Sequence, residues 1–284
     1  MHKLSVIEAA RSANAFRRDH WREAAGPLAL IVLATVVNAF WPITAQASLA
    51  LVAVLQVAGW TMAYDALMRL AFAPDHPGDP AFRVGRGGFQ WGRVEWRLLG
   101  LAAAATVLGA LAAAVVVAAY VAGALISGGF SASAPPRPSA AGLILILVAV
   151  CGTIYVALRL SLAAAATVDR EELTLFRTWP VTRGQVWPLL GAHLLVGAVV
   201  VGVSLVALLG GSAIGTMAAA LVGGAQAGPK AEFAGARIAV AVTAFAGAIV
   251  QAFVGLPLGV GVSAAFYRVL GRVGPPETAT ATAV

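Results

Sequence analysis

The sequence predicts an all-α fold, a polytopic transmembrane bundle of six spans arranged as three helical hairpins, and three observations predict it. Hydrophobic residues make up 60% of the 284 positions and charged residues 11%, whereas an average soluble domain holds about 45–50% and about 25%. Apolar residues gather in uninterrupted runs of the ~20 residues that a helix needs to cross a bilayer. All 19 lysines and arginines except Arg137, Lys230 and Arg237 fall on what would be one side of those runs. That asymmetry, under the positive-inside rule, puts both termini and the long connections in the cytoplasm and requires an even number of spans.

The elements follow in order. The first ~24 residues are polar and amphipathic, with Val6, Ala9, Ala10, Ala13, Phe16 and His20 on one helical face and Arg11, Arg17, Arg18 and Arg22 elsewhere, the pattern of a helix lying at headgroup level. A cleavable signal peptide would instead set its apolar stretch close behind a short basic start. Spans are expected at roughly 26–44, 48–72, 98–126, 141–166, 188–222 and 238–268. The turn from Trp41 to Thr44 separates the first two, and the proline-rich stretch from Ser131 to Pro138 separates the next pair, since proline cannot continue a helix. The fifth run exceeds a bilayer's need, so it is expected to tilt or to break near Gly210 and Gly211. The chain thus divides into a cytoplasmic segment of about residues 1–25, a transmembrane domain of about 26–272 and a flexible cytoplasmic tail of about 273–284. Trp21, Trp41, Trp91, Trp96, Trp179 and Trp187 all lie near span ends, as in an interfacial aromatic belt.

The hairpins read as an internal repeat. Trp21, Trp96 and Trp187 precede the odd spans, and Arg69, Arg159 and Arg268 sit near the ends of the even ones. A true repeat would hold the three arginines at one depth around a shared axis, suited to phosphate-bearing, anionic lipid headgroups. Arg159 falls inside its span, where a charge needs a partner or water. Asp65 and Glu95 are the candidate partners, although Asp65 is also spaced to pair with Arg69 one turn away. His193 reads as a hydrogen-bonded packing residue or, less expectedly, a proton relay. In the sixth span Gly247, Gln251, Gly255, Gly259 and Ser263 recur every four residues, a small-residue stripe against which a neighbouring helix can pack. Pro257 within the stripe predicts a kink.

Enzymatic motifs are absent. There is no GxxxxGK[ST] or HExxH pattern and no GxSxG elbow. Tyr64-Asp65 resembles half of an intramembrane aspartyl protease dyad, whose second motif is missing. Glu171-Glu172 with Arg177 resembles the glutamate pair of prenyl-protein endopeptidases, but the spacing is one residue long and the partner histidines are absent. The lone Cys151 rules out an internal disulfide and a cysteine-based metal site, and is expected to pack as a small hydrophobe. No metal, cofactor or nucleic acid is expected, because the excess of positive charge tracks topology.

The segment from Leu158 to Ala163, followed by Phe176 to Trp187, together with the stretch from Phe266 to Leu270, resembles a loose group of bacterial six-helix inner-membrane proteins without a settled biochemical role. The same pattern is similar to the membrane domain attached to some glycerophosphodiester phosphodiesterases. The resemblance spans most of the chain and leaves no room for the phosphodiesterase catalytic domain. It implies a bacterial inner-membrane module. The expected function is therefore non-enzymatic, organising lipids or partners such as another membrane protein or further copies of the chain. The alternative is a small-solute transporter or channel subunit, which requires a watery cavity reaching Asp65, Arg159 or His193.

Overall fold

The computed structural model describes residues 5–40, 46–126, 140–176, 178–223 and 229–271. The expected turn after Trp41, the proline-rich stretch and the C-terminal tail lie outside the described residues. Among those described, every regular element is helical. They run α1 (Val6–His20), α2 (Ala25–Phe40), α3 (Gln46–Phe72), α4 (Arg93–Ile126), α5 (Ala140–Leu160), α6 (Ala163–Arg170), α7 (Thr178–Val181), α8 (Val186–Gly223), α9 (Pro229–Val250) and α10 (Leu256–Gly271). Five stretches are long and apolar enough to cross a membrane, and a sixth arises if α1 and α2, bent by 92° from one another, count as one broken span. The chain is a multi-pass helical membrane protein.

The hairpins are unequal. α2 has 16 residues, about 24 Å at 1.5 Å per residue, short of the ~30 Å hydrocarbon core. α4 has 34 residues and α8 has 38. Of the two expectations for the fifth run, a tilt or a break near Gly210 and Gly211, the break does not occur: α8 runs through both glycines, α9 packs along it, and Gly211 lets the two backbones close.

α1 begins with a capping box that the local sequence spells out. Ser5 Oγ accepts from the Glu8 amide at 3.2 Å, and the Ser5 amide donates to Glu8 Oε2 at 3.0 Å, so two otherwise orphan amides are satisfied reciprocally. Its small-residue face does not meet headgroups. Ala9 and Ala13 are fully buried against α10, and Val6 packs on Gly191 of α8. The charged face remains outside, with Arg11 and Arg18 exposed.

The expected glycine stripe is corrected in the same way. A side chain at Gly247 or Gly259 would meet nothing within 4 Å, and one at Gly255 would meet only Gln251 of its own helix. The close approaches are made elsewhere. A Cβ on Gly261 would lie 2.7 Å from Ala13 Cα, and one on Gly215 would lie 2.6 Å from Ala239 Cα. The reason is a π-turn at Gln251–Gly255, in which the Leu256 amide reaches back to the Gln251 carbonyl. Pro257, with no N–H and a ring that crowds the carbonyl four residues earlier, displaces the ladder into this wider turn. The extra residue rotates everything after it, so a strict four-residue spacing no longer stays on one face.

One end of the bundle is capped by protein. There α1, the connection 73–92, α6 and α7 cover the ends of α3, α4, α5 and α10. The connection carries three single turns of 3-10 helix and is fastened to α2 by Gly88, which has φ +82° and would place a Cβ 2.9 Å from Ala24 Cα. Only glycine combines that backbone angle with that approach.

Candidate functional site: three polar clusters at the capped end

The intramembrane charges expected from sequence form three clusters, each with its own partners. In the first, Arg69 Nε donates to Asp65 Oδ2 at 2.6 Å, one helical turn away, and Arg69 Nη2 stands 4.0 Å from Glu95 Oε1. Arg69 also donates to the Ala81 carbonyl and Gln90 donates to Asp65. The Gly85 amide donates to Gln90 at 3.1 Å, and the Gly92 amide to Glu95 at 2.6 Å. Asp65 and Glu95 are almost wholly buried, and Asp65 Oδ1 has no hydrogen-bond partner. The cluster ties the middle and the C-terminal end of the connection 73–92 to α3 and α4. A buried charge whose partner is removed costs several kcal/mol, so this arrangement holds the cap in one register.

The second cluster reassigns Arg159. Its expected carboxylate partners belong to Arg69. Arg159 instead donates from Nε and Nη2 to the Tyr155 hydroxyl at 3.1 and 2.7 Å, and from Nη1 to the Trp179 carbonyl at 2.8 Å and Thr182 Oγ1 at 3.2 Å. Its guanidinium lies 5.1 Å from the Tyr155 ring centroid and 5.4 Å from that of Trp179. α5 stops one residue later, at Leu160, and α6 resumes at Ala163. Arg159 therefore stitches the last turn of α5 to α7 with neutral acceptors and aromatic faces, which suit a planar guanidinium.

The third cluster opens to the outside. A cavity of about 270 Å³ lies between the ends of α3, α6 and α10. Arg268 Nε donates to Asp75 Oδ2 at 2.6 Å, and its guanidinium sits 5.8 Å from the Phe72 ring centroid. His76 Nε2 faces Asp169 Oδ1 at 3.1 Å, and the Tyr267 hydroxyl donates to Asp169 Oδ2 at 3.0 Å. His76 stacks on Phe82 at 4.2 Å between centroids, which fixes its ring. Exposed Arg170 completes the wall. A mainly apolar crevice of about 620 Å³ runs between α4 and α5 past Leu108, Gly109, Gly152 and Val156.

Sequence pattern picks out Arg268 but not its companions. Asp75 and His76 sit in a stretch that reads only as a polar connection, and Asp169 and Arg170 fall in the connection after the fourth span. What joins them is a contact between positions about 100 and 200 residues apart. Nothing in local spacing signals it. His193 Nδ1 lies 2.8 Å from the Leu189 carbonyl of its own helix. Cys151 is exposed on α5, not packed inside. Among the described residues no group of three histidine, cysteine or acidic side chains could hold a metal ion.

The tryptophans mark the level of this end. Trp91, Trp96, Trp179 and Trp187 are exposed there, Trp187 at 80%, alongside exposed Arg22, Arg83, Arg86, Arg93 and Arg183. The fold and this ring define the class, a multi-pass helical bundle with one tryptophan- and arginine-rich end. Comparison of the chain with protein-family models, with curated proteins and with solved structures finds no match.

Proposed function

We propose that this protein is a non-enzymatic module of a bacterial inner membrane, with its capped end facing the cytoplasm, and that it engages phosphate-bearing lipid headgroups through the cavity between α3, α6 and α10. The observation that carries this reading is the position of two arginines, Arg170 and Arg268, on the wall of a polar cavity at the capped end. Arg69 and Arg159 have their guanidinium groups engaged inside the protein, whereas Arg268, though paired with Asp75, is the one of the three arginines first considered that lines this cavity. Charge-assisted hydrogen bonds from guanidinium to phosphate are among the strong ones. Aromatic rings at headgroup level and exposed basic residues hold that end against an anionic surface. The transporter alternative draws less support, because the cavities described above are lined by neither Asp65, Arg159 nor His193.

The test is binding of short-chain phospholipids to the full chain in non-ionic detergent, read as bound adducts by native mass spectrometry. Replacing both cavity arginines (Arg170→Gln with Arg268→Gln) is expected to weaken phospholipid binding on the order of tenfold or more. Arg93→Gln, an exposed arginine outside the cavity, is expected to leave it unchanged. Equal losses from the two substitutions would reduce the cavity to one patch of a diffuse basic surface and end this reading.

A further inference from the structure

We infer that the cavity between α3, α6 and α10 selects a zwitterionic headgroup that carries a primary ammonium beside its phosphodiester, as in phosphoethanolamine lipids, over a purely anionic one. The inference rests on the headgroup reading above and names its ligand class.

Charge balance argues first. The wall holds two guanidinium groups, Arg170 and Arg268, and two carboxylates, Asp75 and Asp169. Counting the guanidinium and carboxylate groups alone, the formal charges of the wall cancel. A site built for a bare anion would present its arginines without carboxylates beside them. Here the Arg268 guanidinium is held 2.6 Å from Asp75, so an incoming phosphate has to compete with a carboxylate. A ligand that brings both signs satisfies both halves of the wall at once.

Hydrogen-bonding capacity argues second. Asp169 accepts on both oxygens, from His76 and Tyr267, and this fixes the plane of the carboxylate. A carboxylate offers about four lone-pair sites, so an ammonium can be added without breaking either contact. The guanidinium of Arg268 uses Nε on Asp75 and keeps its two terminal nitrogens for a phosphate.

The aromatic geometry disfavours a quaternary ammonium. Choline-type groups, lacking N–H donors, need open aromatic faces. Phe72 is covered by the Arg268 guanidinium at 5.8 Å and meets Tyr267 edge-on at 5.7 Å, while His76 stacks on Phe82. The rings are thus occupied by one another and by arginine, so recognition of the cation falls to the carboxylates, which favours N–H donors.

The experiment titrates the full chain in non-ionic detergent with dioctanoyl phosphatidylethanolamine, phosphatidylglycerol and phosphatidylcholine, and with chain-free glycerophosphoethanolamine. The ethanolamine lipid is expected to bind about fivefold or more tighter than the other two lipids. Asp169→Asn, nearly isosteric and able to accept from Tyr267, is expected to erase that preference while glycerol-lipid binding holds or strengthens. Asp75→Asn provides the same readout should the first variant fold poorly. Glycerol-lipid binding that equals or exceeds ethanolamine-lipid binding, still lost with Arg170→Gln and Arg268→Gln, would overturn the zwitterion inference and leave the headgroup reading standing. Arginine-independent binding of every lipid would overturn both. Chain-free headgroup binding as tight as the lipid would overturn a membrane lipid as the source of the ligand.

Discussion

The α3 stretch and the outer helices α4, α5 and α8 are all long and apolar enough to cross a membrane, with mean hydropathy 1.4 against 2.4–2.5, yet they are held by different solvents. In the most apolar window of the α3 stretch 44% of residues are buried within the protein, against 6% for those of α4 and α8 and 11% for that of α5. Leu111, Val115, Leu147, Val206 and Leu209 all point outward. Those side chains are satisfied by hydrocarbon, which needs no particular partner atom. At the capped end the same protein encloses two carboxylates, two arginines and several threonines, each aimed at a specific acceptor or donor. Lipid enforces composition, while protein contact enforces identity. A substitution should therefore matter in proportion to how far its site is enclosed by protein.

The sharpest way to break the comparison is to remove Arg69. Arg69→Met leaves Asp65 and Glu95 buried without their cation, and an expected loss of about 3–5 kcal/mol follows, read as a shift of the denaturation midpoint in detergent. Pairing it with Asp65→Leu should restore part of the loss. A single variant as stable as the parent would mean that the cluster is not closed to water. Next comes the crossing of α1 over α10. Gly261→Val puts bulk against Ala13 backbone, with an expected cost of about 1–3 kcal/mol or detachment of α1, visible as faster proteolysis within Val6–His20. Gly259→Ala, two residues away, has open space and should change stability by less than about 0.5 kcal/mol. The reverse order would restore the four-residue stripe. Arg159→Met is expected to cost on the order of 1–3 kcal/mol by removing the charge-assisted hydrogen bonds to the Tyr155 hydroxyl, the Trp179 carbonyl and Thr182, measured by the same midpoint. Smallest of all, Val115→Ala and Leu147→Ala on the outer helices should stay within about 0.5 kcal/mol. A large effect there would reveal a protein surface packed on those helices.

The glycines teach why some of the architecture is hidden from local reading. Gly247, Gly255 and Gly259 lie in the right rhythm for a packing face, and the rhythm assumes 3.6 residues per turn throughout. Pro257 is visible in the sequence and does predict a distortion. That the distortion is a π-turn beginning six residues earlier, at Gln251, depends on which carbonyls neighbouring helices let the chain give up. The arginines make the same point. The four-residue spacing of Asp65 and Arg69 is enough to put them on one face. Tyr155 lies one turn from Arg159 in the same way, but Trp179 and Thr182, which also bind Arg159, and Asp75, which pairs with Arg268, come from elsewhere in the chain through contacts that no spacing encodes.

Composition, the length of the apolar runs and the lopsided arginines were sufficient by themselves to make this an all-helical membrane protein, because the cost of exposing apolar side chains to water, or backbone polar groups to hydrocarbon, is settled residue by residue. The tertiary structure alone decided which glycines touch, which arginine is left facing outward and which acids join it. Those outcomes depend on helix ends far apart in the chain arriving at one place, where each buried charge takes the partner that geometry leaves within reach.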